Sequence, residues 1–408
     1  MLRRSVRLGF VLLATGAGLI LGAAERAPVR GGANSATIVA ARPAAPTVEQ
    51  GEIDGAKFTI ARPVRWNHRL LLLAHGLRAE SSPLVADLFP EHLAYKTLLD
   101  EGWIVAKTSY RRNGLIVADA IADLDALRAY IAHADGEPER VLVEGESMGG
   151  LIATLIAERT PDYDAQGHPA YTGAVAIGAA LSVREPNSTL GLSLHPKIPV
   201  IFLTNQSELE GPQKYVESFR PQDRSDIRPV LFRVSRSGHV NVNQRERLAA
   251  LHALVAWIDE GREKLPRPPE GQNVFDATVR PAPQPSQVAR QPDGRGFTAQ
   301  VIEVSAGYGN LFINAQPADF EAAGIRPMVW FQLKVGEKTF RVRYGRDFDS
   351  VKRGEWVVFP NADGFTWLAR NLGDAAGSAG LKLGDAVTLR RYDNAASSGA
   401  GSAETGER

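Results

Sequence analysis

Val143-Glu144-Gly145-Glu146-Ser147-Met148-Gly149-Gly150 is the stretch on which the fold of this chain turns. Gly145 to Gly149 fit the pattern G-x-S-x-G. A short apolar run, Arg140–Val143, leads into it, and Leu151–Arg159 continues with the composition of a helix. A serine lifted out of a sheet on a sharp strand-to-helix turn needs glycines on either side, because side chains there would collide with the flanking elements. Five residues alone are weak evidence. The apolar strand before them and the apolar-periodic helix after them give the motif its meaning.

Strand and helix patterns alternate outward from this turn. Leu70–Ala74 is a continuous apolar run ending at His75-Gly76, and Trp103–Ser109 is a second. Ile116–His133 has helical spacing, with Ile121, Leu124, Leu127 and Ile131 on one face. Ala174–Ile177, Pro199–Leu203 and Pro229–Val234 follow as strands, and Arg245–Glu260 is a final amphipathic helix. Strands apolar on both faces, separated by helices, predict an α/β fold with a doubly wound, mostly parallel sheet. Beyond residue 296 the pattern changes. Thr298–Val304, Val329–Val335, Thr339–Tyr344, Trp356–Phe359 and Ala386–Arg391 are short strands between glycine-rich turns, which predicts a small all-β barrel or sandwich domain.

A serine hydroxyl needs a base to act as a nucleophile. Among the eight histidines, His239 stands apart: Ser237-Gly238-His239-Val240-Asn241 follows the last strand and precedes the last helix. In a doubly wound sheet that loop opens at the carboxyl edge, beside the nucleophile turn. His133 and His252 lie inside helices, and His68, His92, His168 and His195 have no comparable setting. The acid that orients the imidazole is expected after the strand Pro199–Leu203, where the loop holds no aspartate. Glu208 is the choice, Glu210 the alternative, and a more distant carboxylate such as Asp223 would replace both if they were solvated. Backbone N–H groups must then stabilise the oxyanion. Met148 supplies one, and Leu77, or else Arg78, supplies the other from the turn after Leu70–Ala74; His75 reads as a hydrogen-bonder within that turn.

The net charge is +1, from 47 basic and 46 acidic residues, which gives no reason to expect nucleic acid as a partner. There is no cysteine, which excludes disulfides, zinc–thiolate sites and a thiol nucleophile. No metal site and no cofactor are expected. Residues 1–24 read as a cleaved signal peptide, with Arg3, Arg4 and Arg7 before the apolar Leu8–Leu21 and small residues before Glu25; this predicts a periplasmic or secreted protein that is not membrane-bound after cleavage. Residues 25–49 read as a flexible leader and 50–264 as the catalytic domain. The proline-rich 265–295 reads as an extended linker, 296–393 as the β domain and 394–408 as a disordered tail.

Residues about 50–262 resemble the α/β-hydrolase family. The features that carry this are His75-Gly76 and Gly145–Gly149 after strands, the acidic loop at Glu208, Gly238-His239, and the chain order serine, acid, histidine. The resemblance implies a Ser-His-acid hydrolase working through an acyl-enzyme, with glutamate as the acid. The segment between Ala174–Ile177 and Pro199–Leu203 is short for a lid domain, so the site is expected to be open or covered by the loop Arg78–Glu91.

Residues about 296–392 resemble the C-terminal domain of the S-adenosylmethionine hydrolase (hydroxide adenosyltransferase) family, through Gly307-Tyr308-Gly309-Asn310-Leu311-Phe312-Ile313-Asn314, Pro360-Asn361-Ala362-Asp363-Gly364, Leu368-Ala369-Arg370-Asn371 and Gly373-Asp374-Ala375-Ala376. That resemblance implies Asn310 as a nucleoside contact and assembly into oligomers through the β domain. Ala362 replaces the family's serine, and the family's N-terminal domain, which supplies the acidic half of that pocket, has no counterpart here. The function expected from these readings is hydrolysis of a small carboxylic ester. A peptidase or amidase using the same residues is the alternative, and a non-catalytic ligand- or partner-binding protein is a further one.

Overall fold

The computed structural model describes residues 45–159, 169–219, 225–266, 274–281 and 284–392. The segments read as signal peptide and tail, together with His168 and Asp223, lie outside them.

The first sheet has nine strands. In chain order its elements are β1 (Thr47–Ile53), β2 (Ala56–Arg62), β3 (Arg69–Ala74), α1 (Leu93–Asp100), β4 (Ile104–Thr108), α2 (Val117–Asp135), β5 (Arg140–Glu146), α3 (Met148–Glu158), β6 (Gly173–Ile177), β7 (Val200–Asn205), α4 (Glu210–Ser218), β8 (Val230–Val234), α5 (Gln244–Glu260) and β9 (Val274–Asp276). The spatial order is β1-β2-β4-β3-β5-β6-β7-β8-β9. The β1–β2 hairpin joins antiparallel to β4, and all pairings from β4 onward are parallel. This is the α/β-hydrolase arrangement, with β5, the strand that leads to Ser147, at the centre of the sheet.

The strands are apolar on both faces because both faces are covered. Leu70, Leu72 and Ala74 of β3 pack with Leu124, Ile131 and Ile152 of α2 and α3, while Leu71 and Leu73 pack with Leu98, Leu251 and Leu254 of α1 and α5. Each fully buried leucine contributes about 1.5–3 kcal/mol, so this central sandwich fixes the sheet on which the loops sit.

Two expectations change here. The leader reading extended to residue 49, yet Thr47 already begins β1 and pairs with Arg62. The proline-rich 265–295 is more than a linker: Leu231, Phe232 and Arg233 pair with Val274, Phe275 and Asp276, so the chain returns to the sheet after α5. The half-buried Phe275 packs tilted against Phe232 at 4.9 Å between ring centroids, and that contact outweighs the low strand propensity of the surrounding prolines.

The second sheet comprises β10 (Ala289–Arg290), β11 (Gly296–Ser305), β12 (Asn310–Ile313), β13 (Trp330–Val335), β14 (Lys338–Tyr344), β15 (Trp356–Pro360), β16 (Thr366–Arg370) and β17 (Ala386–Arg391), with short helices α6 (Pro317–Ala322) and α7 (Ala375–Ala379) between strands. Strand β11 pairs with both β12 and β17, so seven strands close into a barrel, and β10 adds to β11 outside the ring. Closure leaves no free ladder on those strands. Phe297, Leu311, Phe320, Phe331, Val342, Leu368 and Leu389 fill the interior.

Candidate active site

Ser147 sits between β5 and α3 with φ +57°. A non-glycine residue holds that conformation only where its surroundings over-determine it. Here the Ser147 amide donates to the Ile177 carbonyl at 2.9 Å, and the Ser147 carbonyl accepts from Leu151 and Ala180 at 3.2 and 3.0 Å. The flanking glycines are required sterically. A Cβ on Gly145 would coincide with the Gly149 carbonyl, and one on Gly149 with the Ala74 carbonyl.

His239 lies on the loop between β8 and α5, where Gly238 (φ +126°) and Val240 (φ +52°) turn the chain. Its Nε2 is 2.8 Å from Ser147 Oγ. Its Nδ1 is hydrogen-bonded to Glu208 Oε1. Glu208 ends the 3-10 turn Gln206–Glu208 that follows β7. The Glu208 carboxylate holds the imidazole pKa above its ordinary value; burial opposes this, and Glu146 and Asp349 add to it. Glu210, the alternative acid, starts α4 and pairs in solvent with Lys214 at 2.5 Å.

The loop that carries His239 is held at both ends. The Asn205 side chain, fully buried at the end of β7, donates to the Asn241 and Arg236 carbonyls at 2.8 and 3.1 Å and accepts from the Asn241 amide at 2.7 Å. Beyond it, Asn243 and Glu246 form a capping box that starts α5. Asn205 thus ties β7, which leads to Glu208, to the loop carrying His239. Sequence reasoning missed it; an asparagine closing an otherwise apolar strand was the available signal.

On the other side, Gly76 passes beside the serine. The position of a Cβ on Gly76 would lie 3.2 Å from Ser147 Cβ. Leu77, which follows, is exposed, and Met148 opens α3, where the first N–H groups have no partner within the helix. His75 is buried and turned inward: Nδ1 contacts the Gly76 carbonyl at 2.7 Å, Nε2 contacts the Ser109 carbonyl at 3.1 Å, and the ring stacks on Tyr110. Burial, with Arg78 and Lys107 nearby, lowers its pKa to about 3, so it stays neutral within its turn.

A largely buried charged cluster that sequence reasoning also missed lies next to the Ser147 turn. Arg247 of α5 is paired with Glu144 and Glu146 of β5. Tyr95 of α1 donates to Glu144 at 3.0 Å and accepts from Arg247 at 3.1 Å. Burial pushes the Glu144 carboxyl up, whereas at Glu146 the Arg247 charge overcomes burial and holds the carboxyl down. Two glutamates in a central strand were the signal, since carboxylates enter such strands only when paired.

The barrel reaches this site. The Gln244 amide donates to Asp363 at 3.0 Å, His92 pairs with Glu303 at 2.7 Å, and the Ser305 hydroxyl lies 3.4 Å from Asp87. The loop 78–91 is pinned below it, Arg78 bonding to the Val85 carbonyl and to Asp87, each at 2.6 Å. Tyr308 stacks over the Arg78 guanidinium at 4.9 Å. Asn310, two residues beyond Tyr308, is buried at the start of β12 and paired in register with Ser305.

Among the described residues, no group of three or more His, Asp or Glu side chains is placed to hold a metal ion, and no helix is long and apolar enough to cross a membrane.

Residues 299–388 match the SAM hydroxide adenosyltransferase C-terminal domain. No curated protein sequence matches the chain. Among solved structures, an uncharacterized conserved protein from Thermotoga maritima aligns at 25% identity over 31% of this chain, with a TM-score of 0.24; the match spans only 47% of that protein. A serine hydrolase without lid from Xanthomonas campestris aligns at 14% identity over 56% of this chain and 98% of its own, with a TM-score of 0.37. An esterase from the archaeon Pyrobaculum calidifontis aligns at 16% identity over 46% and 75%, with a TM-score of 0.35.

Proposed function

We propose that this protein is an exported serine hydrolase that cleaves carboxylic esters, with Ser147 as nucleophile, His239 as base and Glu208 as the acid that orients it. The continuous hydrogen-bonded line from Ser147 Oγ through both nitrogens of His239 to Glu208 is the observation that carries this reading. Each member comes from the carboxyl end of a different strand, the serine on a strained turn that only function explains.

Ser147 Oγ attacks the ester carbonyl carbon while its proton passes to His239 Nε2, and the carbonyl electron pair moves to oxygen. The backbone N–H groups of Met148 and Leu77 stabilise that oxyanion. Collapse breaks the bond to the alcohol, which leaves with the proton from His239. Water then gives a proton to His239 and attacks the acyl-enzyme; the second collapse returns the proton to Ser147 Oγ and releases the acid. Glu208 stabilises the imidazolium in both halves.

Esters are the substrates proposed first because an alcohol leaves more readily than an amine; His239 is half exposed, and only residues 178–199 lie between β6 and β7, too short a segment for a lid domain. Treatment with a fluorophosphonate and with short p-nitrophenyl esters tests this. Wild type should label and turn over the esters, and Ser147→Ala should do neither. Failure to label refutes the serine hydrolase reading, and cleavage of peptides but of no ester replaces it with an amidase. Export rests on residues 1–24, and recovery of protein from the periplasm or medium beginning near Glu25 checks it.

A further inference from the structure

The turn joining β11 to β12 brings the barrel up to Gly76, beside Ser147. Ser305, Ala306, Gly307, Tyr308 and Gly309 form it, closed by hydrogen bonds from the Tyr308 and Gly309 amides to the Ser305 carbonyl at 3.1 and 2.8 Å. It is pressed onto the hydrolase domain: a Cβ on Gly307 would run into the Arg78 guanidinium. Gly309 holds φ +67° against Asp374, where a side chain would clash. Both glycines therefore serve to bring the residue between them forward.

That residue is Tyr308. The position that a Cβ on Gly76 would occupy lies 3.1 Å from Tyr308 Oη and 3.2 Å from Ser147 Cβ. The phenol and the Ser147 side chain thus both crowd the bare face of Gly76, where even a methyl group would be too tight. Arg78 beneath the ring is itself fixed, buried and bonded to Val85 and Asp87, with Lys107 on the same carboxylate at 2.8 Å. Burial raises the phenol pKa to about 12, so it stays protonated and uncharged beside the ester.

We propose that Tyr308, supplied by the barrel, is a wall of the hydrolase pocket and sets the size of the acyl group that can reach Ser147. This rests on the serine hydrolase reading above. It gives the barrel a role that needs no nucleoside: the second domain closes one side of a site that the first leaves open. A rigid ring seated on an immobilised guanidinium makes a wall that yields little, so short acyl groups are favoured over long ones.

The test uses the full-length protein and two fluorophosphonates, one with a short alkyl chain and one with a long chain, with rates of Ser147 labelling measured for wild type, Tyr308→Ala, Tyr308→Phe and Tyr308→Trp. Tyr308→Ala should raise the long-to-short rate ratio about tenfold or more, since each methylene that a pocket admits or rejects is worth roughly 10–200-fold. Tyr308→Phe keeps the ring and should hold the ratio within twofold of wild type. Tyr308→Trp enlarges the wall and should lower it, which covers the case in which removing the ring loosens the domain contact. If wild type labels at Ser147 but neither Tyr308→Ala nor Tyr308→Trp moves the ratio, the wall assignment is wrong while the hydrolase reading stands. If wild type does not label at all, both fall together.

Discussion

Replacing Arg247 with leucine removes the cation paired with both Glu144 and Glu146 beside the Ser147 turn. Arg247, Glu144 and Tyr95 are buried, and the guanidinium contacts Glu144, Glu146 and the Tyr95 hydroxyl. Taking away one partner of a buried ion pair costs about 3–5 kcal/mol, because the remaining charge keeps its desolvation penalty without compensation. For a domain of this size, each kcal/mol lowers Tm by about 2–4 °C, so a drop of roughly 6–20 °C is expected at pH 8. The exposed pair Lys96–Asp100 supplies the contrast: Lys96→Ala should cost well under ~1 kcal/mol.

The deficit should also depend on pH in a defined direction. In wild type, Arg247 holds Glu146 below its ordinary pKa, so the pair contributes stability above that pKa and loses it as pH falls. In Arg247→Leu the Glu144 carboxyl, already raised by burial, rises further and Glu146 loses the cation that holds it down, so the penalty is full at high pH and vanishes as they protonate. The Tm gap between variant and wild type should therefore narrow steadily from pH 8 to pH 4.5. Adding Glu144→Gln and Glu146→Gln to Arg247→Leu removes the stranded charges and should recover most of the loss at pH 8. Thermal unfolding followed by circular dichroism across this pH range is the assay. A loss below ~1 kcal/mol at pH 8, or a gap that does not change with pH, would refute the assignment of a coupled buried cluster.

Glu208→Gln should lower kcat on p-nitrophenyl acetate by at least about 100-fold, whereas Glu210→Gln, altering a side chain paired with Lys214 in solvent, should change it less than twofold; the reverse order would overturn the choice of acid. Because Glu208 raises the His239 pKa, the acidic limb of the kcat/KM profile should lie above the ordinary histidine value of ~6.5, with activity lost as pH falls through it; in Glu208→Gln the residual activity should titrate at lower pH. Gly149→Ala puts a methyl group on the Ala74 carbonyl and should abolish labelling of Ser147 or prevent accumulation of folded protein, and a folded variant with wild-type labelling would remove the steric explanation for the motif.

The elements legible in the sequence are those whose signal is local. Leu70–Ala74, Arg140–Val143 and Pro199–Leu203 announce β3, β5 and β7 because strands covered on both faces are uniformly apolar. Ser147, His239 and Glu208 were found by their place at strand ends, and the structure brings all three within hydrogen-bonding reach. Strand β9 was not legible, because three residues among prolines carry no periodicity and are ordered by Phe232 on the sheet they join. Arg247 was assigned only to the helix, since its partners Glu144 and Glu146 lie about a hundred residues earlier and nothing near it in sequence declares them. Tyr308 was read as part of a domain motif. Its position beside Ser147 depends on how the two sheets come together, which no single segment encodes.

The return of the chain to the first sheet at β9 has a further effect. From Asp276, only residues 277–288 separate that strand from the first strand of the barrel sheet. A tether this short sets an effective concentration in the millimolar range for the barrel at its docking face. The contacts that join the units, among them those at Asp87, His92, Gln244 and Arg78, form at that effective concentration rather than at the concentration of free molecules. Covalent continuity therefore adds to those contacts in keeping Tyr308 at Ser147.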